Sequence, residues 1–331
     1  MNQANELFDV TIIGGGTTGL YTAFYSSLRE MKTKLIEASP FLGGKVSLFF
    51  PEKKVYDLGA IPGATGEEIV NQTIQQATMF DPMIIQNEWV DHIEKQADGT
   101  FFLTTANGKT HFSRTVILAT GNGMFTIVGP DLFDLKQDEN VRNRLEELEQ
   151  YRGKRVVIFS NSRTGMEWAA ALKDIAETVY LFNEKDNYVK AKDHDFKLIE
   201  QQNIKEQRQI TLTEVNRKNN NVVEVVVSDH TGKQELLAVD DVLVYQGISM
   251  KQTPFEDWGM QTEQGRVTTN TLMATCVDGM FVAGDAAIYP GKTNLIASGY
   301  SEAMTAVNSA KQYLDPKASA QIYTTVIFRD K

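Results

Sequence analysis

The chain has 331 residues, 42% of them hydrophobic and 23% charged, with a formal net charge of −10. That length suffices for two domains with separate buried cores, and the composition is that of a folded globular protein rather than a disordered or fibrous one. The acidic balance argues against nucleic-acid binding, which calls for a basic face toward phosphates.

The opening "MNQANELFDV" lacks a basic stretch followed by an apolar one, and no run reaches the roughly 18 apolar residues that span a membrane, so a cytoplasmic protein is expected. The single cysteine, Cys276, leaves no intrachain disulfide and no Cys-x-x-Cys redox pair. Its setting, "TLMATCVDGMF", reads as a strand and its thiol as a small buried apolar group. Any electron carrier must then be a bound cofactor. His92, His111, His194 and His230 show no metal-ligand spacing, and no metal site is expected.

In chain order, residues 8–13 read as a strand, 17–30 as a helix and 33–38 as a second strand. The turn "IIGGGTTGL" places Gly-x-Gly-x-x-Gly on Gly14, Gly16 and Gly19. Gly14 permits the tight turn, Gly16 lets backbone approach a pyrophosphate, and Gly19 lets helix pack on strand. The helix N-terminus then presents free N–H groups and a partial positive charge. Glu37 closes the second strand, where a carboxylate hydrogen-bonds adenosine ribose hydroxyls. This context makes the first turn a dinucleotide site.

The segment "VILATGNGMFTIVGPDLFDL" (116–135) ends an apolar strand in a glycine-rich crossover, and "VRNRLEELEQYRGKR" (141–155) reads as a charged surface helix. Strands at 155–160 and 178–183 around a helix at 163–176 repeat the first layout. A strand in "DDVLVYQG" (240–247) leads into a second crossing, "ISMKQTPFEDWGM". The organisation implied is α/β, with two Rossmann-like three-layer dinucleotide-binding domains, the second inserted into the first. The expected boundaries are 1–118 and 249–331 for the first domain and 119–248 for the second.

The second turn reads "FSNSRTGM", with Ser160, Ser162 and Gly165 in the glycine positions. If the first position needs a positive φ, serine there costs about 1–3 kcal/mol. At the second, a Cβ and hydroxyl intrude where a pyrophosphate would lie. Ser160, Asn161, Ser162 and Thr164 are good N-cap residues, and Arg163 offers a phosphate contact.

The stretches "DVTIIGGGTTGLYTAFY", "KLIEASPFLGGKVSLFFPEKKVYDLGAIP", "ILATGNGMF", "VAGDAAIYPGKTNLIASGYSEAMTAVNSA" and "YLDPKA" resemble the ferredoxin/flavodoxin–NADP⁺ reductases of the thioredoxin-reductase-like type nearly end to end. The resemblance implies an FAD-dependent homodimer that exchanges hydride with a nicotinamide cofactor and single electrons with a ferredoxin- or flavodoxin-like protein. It implies no catalytic residue beyond the flavin, and thioredoxin reductase activity is disfavoured because the family's Cys-x-x-Cys is absent. It places Asp285 on the ribityl chain, Glu37 on the adenosine ribose, Phe50 on the isoalloxazine and Tyr323 over the flavin ring. Thr18, Lys45, Val90, Phe125 and Thr325 match further FAD contacts. Lys45, Lys53 and Lys54 flank Phe50 and are candidates for docking an acidic partner.

Relatives that use NADPH place a basic cluster after the second strand of the inserted domain; here those positions read Asn183, Glu184, Lys185 and Val189. A carboxylate about 5 Å from a phosphate charge costs roughly 3 kcal/mol at an effective dielectric of about 20. Two readings therefore stay open. One is a reductase that uses NADPH or NADH through Ser162, Arg163, Thr164, Glu184 and Lys185. The other is an FAD-binding homologue that has lost NADPH use, serving as an electron acceptor, sensor or interaction module.

Overall fold

The computed structural model describes residues 6–135 and 137–324. The chain divides at Met124/Phe125 and at Met250/Lys251 into one unit built from both ends of the chain and one built from its middle.

In the first unit, β1 (Leu7–Ile13), α1 (Thr17–Leu28), β2 (Thr33–Ile36), α2 (Gly66–Ala77), β3 (Met83–Ile85), β4 (Val90–Lys95), β5 (Phe101–Thr105) and β6 (Thr110–Leu118) follow in order. The sheet runs β3-β2-β1-β6-β5-β4. Ile12 of β1 lies opposite both Leu35 and Ile117 in parallel register. β1 is apolar on both sides because both its faces are covered: Val10 and Ile12 pack toward α1, while Ile13 joins the core on the opposite face. β6 pairs antiparallel with β5 along its first half, and its last residues pair in parallel with Met280–Val282. The returning chain thus supplies a seventh strand. α2 starts with a capping box in which Glu68 N–H donates to Thr65 Oγ1 and Thr65 N–H donates to Glu68 Oε2.

In the second unit, β7 (Arg155–Ser160), α3 (Arg163–Leu172), β8 (Thr178–Asn183), α4 (Asp193–Ile199) and β9 (Ile204–Arg208) precede β10 (Thr211–Lys218), β11 (Asn221–Ser228), β12 (Gln234–Ala238) and β13 (Asp241–Tyr245). A parallel sheet runs from Val141–Arg142 through β13, β7 and β8 to β9. Ile158 and Leu181 face α3 and α4, against Met166 and Leu172. Val157, Phe159 and Phe182 face the antiparallel layer β10-β11-β12, against Leu212, Val225 and Leu237. Each face of the central sheet has its own cover, which makes three layers.

Two sequence expectations are corrected. Residues 141–155 form no surface helix: Val141–Arg142 is an edge strand beside β13, and only Leu148–Tyr151 coils, as a single 3₁₀ turn. Val141 and Tyr151 are buried, so both ends of the segment are tied to the core, and Arg142 bonds Asp241 and Glu146 rather than solvent. Cys276 is exposed rather than buried in a strand. The strand begins only at Met280, after a turn whose Gly279 has φ +88°, and Cys276 sits in the preceding bend with its Sγ 3.4 Å from Gly259 O.

The chain closes the first unit with α5 (Ile296–Leu314), packed along α1. Among the described residues no helix is long and apolar enough to cross a membrane, and no cluster of His, Cys, Asp or Glu could hold a metal.

Candidate functional site

The first turn joins β1 to α1. Gly14 has φ +108°, and a Cβ there would lie 2.4 Å from Ala119 O. A Cβ on Gly19 would lie 1.8 Å from Gly14 O, so this glycine is what lets α1 start against β1. At Gly16 a Cβ would meet nothing nearer than Gly44 Cα at 3.9 Å, so the turn opens there onto free space. Gly16 bridges to Gly43, whose N–H donates to Gly15 O at 2.8 Å. Gly16 N-caps α1 without a side-chain hydrogen bond, leaving first-turn N–H groups for a ligand.

Glu37 follows β2 and is buried. Its Oε2 accepts from Gly15 N–H and its Oε1 from Ser39 N–H at 2.7 Å. Glu88 N–H donates to Glu37 O, which ties Val90, at the start of β4, to the same strand end. Thr120 Oγ1 is buried without a hydrogen-bond partner among the described residues, next to Gly14.

The other wall is the turn after Met280–Val282. Gly284 has φ +72°, and a Cβ on it or on Gly299 would collide with Thr18 Oγ1, at 2.8 and 2.4 Å. Thr18 therefore wedges α1 against both this turn and α5. Gly284 N–H donates to Glu302 Oε2 at 2.7 Å, and Glu302 also accepts from Tyr289 Oη and from Lys292 Nζ. Burial and the Glu302 hydrogen bond push the Tyr289 phenol up to about 12. Asp285, the next residue, pairs with Lys45 of the short helix Gly44–Phe49. Phe50 is at the end of that helix and is 49% exposed.

Gly14, Gly16, Thr18, Gly19, Glu37, Lys45 and Asp285 thus share one neighbourhood. Tyr323 is exposed beside Gln321, at a groove it shares with Tyr21 and Tyr25. Phe125 falls at the first position of the second unit, and Thr325 lies outside the described residues. Free space at Gly16, capless N–H groups, a buried carboxylate and an orphaned hydroxyl fit a dinucleotide such as FAD. The sequence reading missed Glu302, Lys292 and Tyr289, the three side chains that hold the Gly284 turn.

The second turn repeats the first in register, except that Ser160 lacks the positive φ of Gly14. Gly14 and Ser160, Glu37 and Asn183, and Gly43 and Val189 are each 146 residues apart (160 − 14, 183 − 37, 189 − 43). Ser162 bridges to Val189 as Gly16 does to Gly43, and Val189 N–H donates to Asn161 O at 2.8 Å. Lys185 N–H donates to Asn183 Oδ1 at 2.8 Å, as Ser39 N–H does to Glu37. Ser160 is not in the left-handed region, so the strain expected there is absent. Its side chain instead fills the space a Cβ on Gly165 would need, at 2.2 Å. Ser162 and Thr164 open α3. Arg163 bonds Asp195 at 3.1 Å and approaches Glu167 at 3.4 Å, so its charge is already countered. Glu184 and Lys185 are exposed.

Two strand–turn–helix units of the dinucleotide-binding type, each on its own sheet, define a two-domain α/β protein of Rossmann-like units. The family model of the pyridine nucleotide-disulphide oxidoreductases matches residues 8–312, and the chain belongs to that family. It is 39% identical to a ferredoxin–NADP reductase 1 of Bacillus velezensis over 98% of both chains. It is 36% identical to a ferredoxin–NADP reductase 2 of Bacillus subtilis over 100% of both. Thioredoxin reductase of Lactococcus lactis shares the fold, with a TM-score of 0.56 at 19% identity over 93% of this chain and 99% of that one. Bacillithiol disulfide reductase of Staphylococcus aureus does so with a TM-score of 0.56 at 18% identity, over 95% and 100%. The protein is an FAD-binding oxidoreductase that mediates electron transfer with a nucleotide cofactor.

Proposed function

We propose that the chain is a ferredoxin–NADP⁺ reductase-like flavoenzyme, with FAD on the first unit's turn and a pyridine nucleotide on the second's. The electrons pass to or from a small ferredoxin- or flavodoxin-like protein. The observation that carries this reading is the shared register of the two turns, in which one bridge and the N–H bond to the strand-end side chain recur. Bound FAD supplies the exchange between hydride and single electrons. The chain's own residues hold and orient. Gly14, Gly16 and the α1 N-terminus receive the pyrophosphate, and Glu37 accepts from ribose hydroxyls. Asp285, countered by Lys45, takes the ribityl hydroxyls, while Phe50 covers the ring.

The relatives' names support a ferredoxin-type partner. Lys53 and Lys54 are exposed beside Phe50 and give an acidic chain a cationic edge toward an acidic carrier. A homodimer is proposed from the resemblance and is checked by light scattering. The committed charge of Arg163 favours a second reading, an FAD-binding homologue without nucleotide turnover.

The test supplies the FAD-loaded protein with reduced nucleotide, a ferredoxin and cytochrome c as terminal acceptor. Carrier-dependent reduction that falls with salt, and in a Lys53→Glu/Lys54→Glu variant, is the expected result. Reduction that ignores the carrier would refute the partner assignment.

A further inference from the structure

The 146-residue register puts Asn183, not Glu184, in the place of Glu37. Asn183 is fully buried at the end of β8. Its Oδ1 accepts from Lys185 N–H, and this fixes the orientation of the amide, since the flipped rotamer would face one N–H with another. Its Nδ2 has no hydrogen-bond partner among the described residues. In the first unit the corresponding branch, Glu37 Oε2, is aimed at the turn, where it meets Gly15 N–H. The end of β8 therefore holds a buried, orphaned donor in the register position where the first unit holds a carboxylate, beside the turn that opens a ten-residue helix. Buried donors are almost always satisfied, and a ligand oxygen at this place satisfies this one.

The charges around that position decide which ligand. The exposed loop carries Glu184 directly after Asn183, with Asp186 and with Lys185, Lys190 and Lys192 further along it. The nearby arginines are both engaged, Arg163 with Asp195 and Arg208 with Glu206 at 2.8 Å. A ribose hydroxyl needs one donor and no countercharge. A 2′-phosphate dianion would meet the carboxylate of Glu184, the residue directly after Asn183.

We propose that the second unit selects a pyridine nucleotide with an unphosphorylated adenosine ribose, NADH over NADPH, and that Asn183 Nδ2 is its ribose contact. This rests on the reading that the second unit binds a pyridine nucleotide. The selection is one of binding and changes no bond.

The test is calorimetric titration of the FAD-loaded protein with ADP-ribose and with 2′-phospho-ADP-ribose. The first turn is then filled, and no turnover is needed. The wild type binds ADP-ribose about tenfold or more tightly than the phosphorylated form, after solvent screening of the exposed Glu184. Asn183→Ala weakens ADP-ribose about three- to tenfold. Because that residue is buried, the exposed Glu184→Arg serves as the second variant, and it narrows or reverses the preference. Equal or tighter binding of the phosphorylated ligand by the wild type would overturn the proposal while leaving nucleotide binding intact. Binding of neither ligand would overturn the underlying reading as well.

Discussion

Glu302→Gln probes the device that holds the Gly284–Asp285 turn. Glu302 and Lys292 side chains are only 4% and 5% exposed, and the carboxylate accepts from Gly284 N–H, Tyr289 Oη and Lys292 Nζ at 2.5–2.7 Å. Glutamine keeps the volume but leaves a buried ammonium without a countercharge. Breaking a buried pair from one side costs about 3–5 kcal/mol, most of it the penalty of the stranded charge. Removing that charge too, in Glu302→Gln/Lys292→Met, should recover at least about half of the loss. Urea unfolding of the apo forms reads these differences, provided the slope of the transition is unchanged. FAD content after purification reports the consequence for the turn that presents Asp285. A Glu302→Gln protein within about 1 kcal/mol of wild type, or a double variant no more stable than the single one, would refute the reasoning.

Gly16→Ala should leave apo stability within about 0.5 kcal/mol, because the new methyl meets only Gly44 Cα at 3.9 Å, yet it should empty the protein of flavin as read by absorbance. Gly19→Ala should instead destabilise the apo fold by about 1–3 kcal/mol through its contact with Gly14 O, measurable by thermal melting. Burial depresses Lys34 to about 8 in the folded protein, below its ordinary 10.5. Between those values the unfolded chain holds a proton that the folded one has released, so stability rises with pH across that window. Relative to Lys34→Met, the wild type should therefore gain up to about 3 kcal/mol between pH 8 and 10.5, and a flat difference would remove the assignment.

β7 and β8 were legible because their β-branched, doubly buried runs are bounded by turn residues, and the roles of Gly14 and Gly19 follow from spacing alone. Residues 141–155 were misread because a charged periodic pattern looks the same on a solvated helix and on a loop whose arginines find nearby carboxylates. Glu302 was illegible, since a glutamate inside a helix is ordinarily exposed. Its burial follows from the small face of Gly299, Ala303 and Ala306 pressed on α1. The strain expected at Ser160 came from analogy with Gly14. The positive φ at Gly14 belongs to a turn pressed on Ala119 O, whereas Ser160 finds its space above Gly165. The Asn183 position could have been read earlier, because the interval from Gly14 to Glu37 repeats from Ser160 to Asn183.

The most direct measurement is an anaerobic titration of the FAD-loaded protein with NADH and, separately, NADPH, following the bleaching of the flavin absorbance. The expected result is bleaching by NADH at about tenfold or more lower concentration than by NADPH. Bleaching by NADPH at equal or lower concentration would contradict the specificity. No bleaching by either nucleotide, in a protein that dithionite reduces normally, would contradict the assignment of the second unit as a working nucleotide site.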